Sequence, residues 1–141
     1  MSMSSIITLT LPGERLFARV ATQAATSVAD LVTGNARHEP AGRDFSHAFE
    51  LAVSEAFTNS VTHARENATA QVVKLTFLFE QRQLTVSVHD ANDPFTIETP
   101  VPDIESFPEN GFGLLIIRKV MDRVIYRRDG DSNILSMSKA L

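Results

Sequence analysis

An α+β two-layer sandwich, with helices covering one face of a mostly antiparallel, mixed sheet, is the fold class predicted by three patterns in this sequence. Two long segments with helical spacing lie between a first short strand and the rest. Two segments of alternating hydrophobicity follow directly on each other, and a glycine-rich apolar segment leads into a closing hairpin. The resulting order is β-α-α-β-β-α-β-β. With 141 residues, 43% of them hydrophobic, the chain suits one domain over residues 1–141 with an ordinary core.

Ile6 to Leu11 alternates Ile, Thr and Leu, reads as a strand, and ends at Pro12-Gly13. Glu14 to Val32 carries Leu16, Val20, Ala24, Val28 and Leu31 at helical spacing and stops at Gly34, a C-cap. After a loop to Arg43, Asp44 or Ser46 caps a second helix that runs to about Asn67. Its apolar stripe is Phe49, Val53, Ala56, Phe57, Val61 and Ala64. Gln71 to Glu80 and Gln83 to Asp90 form an antiparallel hairpin, with Val73, Leu75, Phe77 and Phe79 on one face and Leu84, Val86 and Val88 alternating opposite. Ala91 to Asn110 holds four prolines and no clear period, as long loops that act as lids do. Gly111 to Val124 reads as a helix opened by glycines, and Ile125 to Arg128 with Asn133 to Lys139 form a hairpin around Asp129-Gly130.

Composition narrows the function classes. Thirteen basic residues against 17 acidic ones give a net charge of −4, and no basic cluster exceeds the pair Arg127-Arg128, so nucleic acid is a poor partner. No apolar run is long enough for a membrane span, and the N-terminus lacks a leader pattern, which points to a cytoplasmic protein with no membrane partner. The absence of cysteine removes disulfides, thiolate catalysis and cysteine zinc sites, and the four histidines lack metal-ligand spacing.

Three motifs remain. Glu55 and Asn59 are four residues apart on the second helix, which stacks a carboxylate and a carboxamide on the side opposite the apolar stripe. Thr62 and His63 flank them, and the small residues Ala48 and Ala52 leave room for a ligand. Asp90 ends a strand backed by hydrophobic residues, where a carboxylate either caps a turn or accepts a hydrogen bond from an exocyclic amine such as that of adenine. Gly111 and Gly113 precede an apolar helix, where glycine either supplies a positive φ or lets the backbone approach a phosphate at the helix N-terminus.

Ser54-Glu55-Ala56, Thr58-Asn59 and His63-Ala64, then Asp90, then Gly111-x-Gly113-Leu114-x-Ile116-Ile117 with Met121-Asp122, resemble the N, G1 and G2 boxes of the GHKL (Bergerat-fold) ATPases. The chain is most similar to the branch of anti-sigma factor serine/threonine protein kinases. Leu135-Ser-Met-Ser-Lys139 looks like the family's last strand. The chain opens on a strand, leaving no room for the phosphoacceptor hairpin that a histidine kinase carries before this domain.

The resemblance implies ATP and Mg²⁺ as cofactors. It casts Glu55 as general base at the γ-phosphate, Asn59 as the magnesium ligand, and Asp90 as the reader of the adenine amine. Asn92, His63, Gly111, Gly113 and Leu114 are further nucleotide-binding positions. It also implies an anti-anti-sigma factor as the phosphorylated antagonist, a sigma factor as the regulated partner, and a homodimer. The family's first glycine box reads Asp-x-Gly-x-Gly, whereas this chain has Asp90-Ala91-Asn92-Asp93-Pro94. Asn92 tolerates positive φ, but Pro94 fixes φ and removes a donor. That departure motivates an alternative reading, a non-catalytic module that sequesters a partner. The family's threonine near the last strand aligns loosely with Asn133.

Overall fold

The computed structural model describes residues 5–62, 71–91 and 109–141. In chain order the elements are β1 (Ser5–Pro12), α1 (Ala18–Thr33), α2 (Pro40–Thr62), β2 (Val72–Glu80), β3 (Gln83–Asp90), α3 (Glu109–Val120), β4 (Arg123–Asp129) and β5 (Ser132–Ala140). Short 3₁₀ turns at Arg15–Phe17 and Gly34–His38 lead into α1 and α2. The five strands form one sheet in the order β1-β2-β3-β5-β4. All four pairings are antiparallel, so no mixed pairing is present among the described strands.

Alternation places the core. Val73, Leu75 and Phe77 of β2, Leu84, Val86 and Val88 of β3, and Leu135 and Met137 of β5 are buried toward the helices. Both hairpins turn through two residues, because Glu80 pairs with Gln83 and Asp129 with Ser132. Each turn contains a positive φ, at Arg82 (60°) and at Gly130 (60°), and glycine meets that demand without strain.

The first helix is rotated from the expected orientation. Leu16, in the preceding turn, and Val20 and Leu31 are 79%, 44% and 65% exposed, while Ala21, Ala25, Val28 and Ala29 form the buried stripe. Helices α1 and α2 pack extensively on each other, and alanine lets two helix backbones approach more closely than leucine does. Leu16, Val20 and Leu31 are therefore left on the outer face, while Val28 of the expected stripe is buried. The interface is pinned by Ser46, whose Oγ donates to Asp30 Oδ1 at 2.7 Å. Ser46 thus serves as a crosslink and not as the expected cap; α2 begins six residues earlier, at Pro40, whose fixed φ suits a first helical position.

On α2 the expected stripe holds, with Phe49, Val53, Ala56 and Phe57 buried, and Phe45 extending it in an edge-to-face contact with Phe49 at 5.0 Å between ring centroids. The expected helix end near Asn67 and residues 92–108 of the loop expected over Ala91 to Asn110 lie outside the described residues. The last helix starts at Glu109, earlier than expected, so Gly111 and Gly113 sit inside its first turns. Its C-terminal end is fastened by Asp122, whose N–H donates to Ser138 O at 2.9 Å and whose Oδ2 accepts from the Ala140 N–H at 2.8 Å. Lys139 Nζ lies 3.6 Å from Asp122 Oδ1.

Gly42 has a steric reason to be glycine. A Cβ there would collide with the Ala36 carbonyl oxygen and lie 2.6 Å from its carbon, and backbone cannot swing aside as a side chain does. Gly42→Ala is expected to destabilise the domain by about 1–3 kcal/mol, the range of core overpacking, measured as a lowered urea midpoint.

Candidate functional site

Helix α2 carries Glu55 and Asn59 one turn apart, both half-buried. Their third neighbour comes from α3. A Cβ built on Gly113 would lie 2.8 Å from Glu55 Oε2 and 3.1 Å and 3.3 Å from Asn59 Nδ2 and Oδ1. Having only hydrogen at that Cα therefore brings the α3 backbone against the polar ends of both side chains, joining two motifs separated by more than fifty residues in sequence.

Beside this trio opens a cavity of about 400 Å³. Glu55, Thr58, Asn59 and Thr62 line it from α2, and Arg15 of the 3₁₀ turn before α1 and Ala18 at the start of α1 line it as well. Ala48 and Ala52 do not provide the room expected of them. They are 6% and 0% exposed, because α2 is flanked by both α1 and α3 and more of it is covered than a single stripe.

A second cluster forms at the end of β3. The β3–β5 pairing sets Asp90 directly opposite Asn133. Asn133 Nδ2 donates to Asp90 Oδ1 at 2.9 Å, and Ser60 Oγ donates to Asp90 Oδ2 at 2.7 Å. The Asn133 amide is held in this orientation because its Oδ1 accepts from Tyr126 OH and Arg128 Nη1, both at 2.8 Å. Asp90 and Asn133 are 8% and 2% exposed, so these bonds are made in a setting where an unmade one is costly. The carboxylate is thus fixed by two donors in a given direction and is more than a turn cap.

Ser60, Tyr126 and Arg128 escaped the sequence reading. For Ser60 a signal existed, a hydroxyl three residues after Phe57 on the apolar stripe. Tyr126 and Arg128 gave none, because only strand order sets them beside Asn133. Of the other candidates, Gly111 lies in the first turn of α3 and Leu114 is half-buried beside Gly113. His63, Asn92, Asp93 and Pro94 lie outside the described residues. No group of three or more His, Cys, Asp or Glu is placed to hold a metal among the described residues. No helix among them is long and apolar enough to cross a membrane.

Residues 17–139 match the family described as the histidine kinase-like ATPase domain. The chain belongs to that family. Among curated proteins it is similar to the serine-protein kinases RsbW of Staphylococcus aureus strains MSSA476 and JH9, each 32% identical over 101 residues. That alignment covers 64% of this chain and 62% of each relative. A solved structure of the histidine kinase domain from the Erythrobacter litoralis EL346 blue-light activated histidine kinase superposes with a TM-score of 0.55 at 19% identity. It covers 86% of this chain and 61% of that one, and the likeness is one of fold. The histidine kinase-like ATPase fold expected from the boxes is therefore the fold found.

On the opposite face of the sheet, next to Asp90, burial lowers the pKa of His89 from its ordinary 6.5, helped by Lys74 and Arg127 and opposed by Asp90. With a depressed native pKa, the unfolded chain binds protons more readily than the native one just below pH 6.5. Stability is therefore lost as the pH falls through that window, and His89→Gln is expected to reduce the loss, measured by urea denaturation at pH 8 and pH 5.5. Gly113→Ala is expected to keep the fold, since alanine gains about 0.5–1 kcal/mol over glycine within a helix and the colliding atoms are side-chain ends. The displaced side chains are read in the Asn59 side-chain amide resonances, which shift in a ¹H–¹⁵N spectrum.

Proposed function

We propose that this chain is an ATP-dependent serine/threonine protein kinase of the anti-sigma factor type, which phosphorylates an anti-anti-sigma, STAS-like antagonist and regulates a sigma factor by partner switching. The observation that carries the reading is the meeting of Glu55, Asn59 and Gly113 at the edge of a cavity large enough for part of a nucleotide. The similarity to proteins named serine-protein kinase supports it.

In this reading Asp90, held by Ser60 and Asn133, accepts a hydrogen bond from the adenine amine. The α3 backbone around Gly111, Gly113 and Leu114 receives the phosphates, with His63 and Asn92 as further contacts. Asn59 offers an amide oxygen, a hard donor suited to a magnesium ion that keeps most of its waters and binds phosphate oxygens. Held by Asn59, a magnesium ion would supply positive charge to offset that of the phosphates. Glu55 takes the proton of the acceptor hydroxyl as its oxygen bonds to the γ-phosphorus and the bond to the β-phosphate bridge breaks, giving phosphoprotein and ADP. The exposed Ile6 and Ile7 of β1 and Leu31 of α1 supply apolar surface for a homodimer or a protein partner.

The altered box at Asn92 and Pro94 favours a second reading, partner sequestration without catalysis, and calorimetry separates the two, since absence of binding at millimolar ATP leaves only sequestration. With radiolabelled ATP, Mg²⁺ and a STAS-domain antagonist, the wild type is expected to form acid-stable phosphoserine or phosphothreonine. Glu55→Ala is expected to slow transfer about 10²–10⁴-fold, the usual contribution of a general base, while ATP affinity changes little. Equal rates in the two proteins, or acid-labile phosphate on the antagonist, would overturn the assignment.

A further inference from the structure

Arg15 belongs to neither helix of the Glu55 site's motifs, yet it lines the same cavity. Its place is set by backbone. After β1 the Gly13 N–H donates to Gln71 O at 2.8 Å, tying the chain to the start of β2, and Phe17 N–H donates to Glu14 O at 3.0 Å to close the 3₁₀ turn. Ala18, the first residue of α1, lines the cavity beside it, and α1 is locked onto α2 by the Ser46–Asp30 bond. Arg15 is thus presented from an anchored turn.

The electrostatics of the cavity are lopsided. Of the described side chains lining it, only Glu55 and Arg15 are formally charged, and Glu55 is the wrong sign for a phosphate. Among the described residues, the Arg15 side chain has neither an ion-pair partner nor a hydrogen bond, and it is exposed. A planar guanidinium with five donors matches phosphate oxygens in a two-bond fork, and one lining the same cavity as Glu55 offsets the repulsion between its carboxylate and an incoming phosphate.

We propose that Arg15 binds the terminal phosphate of a nucleoside triphosphate, so that the site distinguishes ATP from ADP through this side chain. The proposal rests on the kinase reading above, because the terminal phosphate is the one that reading sets beside Glu55. A contact confined to that phosphate is absent in ADP, so its removal weakens one nucleotide and spares the other.

Calorimetric titration of the 141-residue chain with MgATP and with MgADP tests it, comparing wild type, Arg15→Gln and Arg15→Lys. Arg15→Gln is expected to weaken ATP about tenfold, the size of one charge-assisted hydrogen bond, and ADP less than about twofold. Arg15→Lys keeps the charge without the fork and falls between. Equal weakening of both nucleotides, or none, overturns the proposal while leaving the kinase reading standing if wild type binds ATP. Failure of the wild type to bind either nucleotide overturns both. Matched thermal melts show that the substituted proteins are folded; if Arg15→Gln is not, the ATP-to-ADP ratio of Arg15→Lys decides, and a ratio equal to wild type overturns the assignment.

Discussion

The rotation of α2 about its own axis is the constraint from which the rest of this domain follows. Phe45, Phe49 and Phe57 are at most 1% exposed and lie on the side of the helix that meets the core. Each contributes about 1.5–3 kcal/mol on burial, so together they approach the ~5–15 kcal/mol net stability of a domain. Turning the helix by even one residue would expose them, and no gain elsewhere offsets that. Glu55 and Asn59 are therefore held in place by phenylalanines on the other side of the same helix, and the site inherits its precision from the core.

A second constraint acts through the sheet. Asp90 is fixed by Ser60 of α2 and Asn133 of β5, and Asn133 is in turn oriented by Tyr126 and Arg128 of β4, an arrangement that depends on β5 lying between β3 and β4. A one-residue slip of β5 would replace Asn133 with a residue from the other face, because side chains alternate along a strand. It would also strand a buried carboxylate without its amide donor. Register and hydrogen bonding thus enforce each other here. The same pairing sets Ser138 and Ala140 where Asp122 can fasten the end of α3, which in turn steadies the helix that carries Gly113.

Helix α1 shows where a one-dimensional reading misleads. Leucine and valine at helical spacing signalled a core stripe, but of that stripe Val28 is buried while Val20 and Leu31 are exposed, and Ala21, Ala25 and Ala29 pack beside Val28, because the partner is another helix and close approach rewards small residues. Apolar side chains left outside are a property of this surface.

The sequence by itself determined the element order, the strands of the central hairpin, the core side of α2, and the pairing of Glu55 with Asn59. All of these are short-range patterns, with period 2 or 3.6, written within one segment. Asp90 and Gly113 were legible as chemically unusual residues, though not as neighbours of anything. Only the tertiary structure decided that Gly113 touches Glu55 and Asn59, that Asn133, Tyr126 and Arg128 orient the Asp90 carboxylate, and that Arg15 faces the same cavity. Those contacts join residues tens of positions apart, and nothing local encodes them. They arise from the strand order and from which helix faces the core selects for burial.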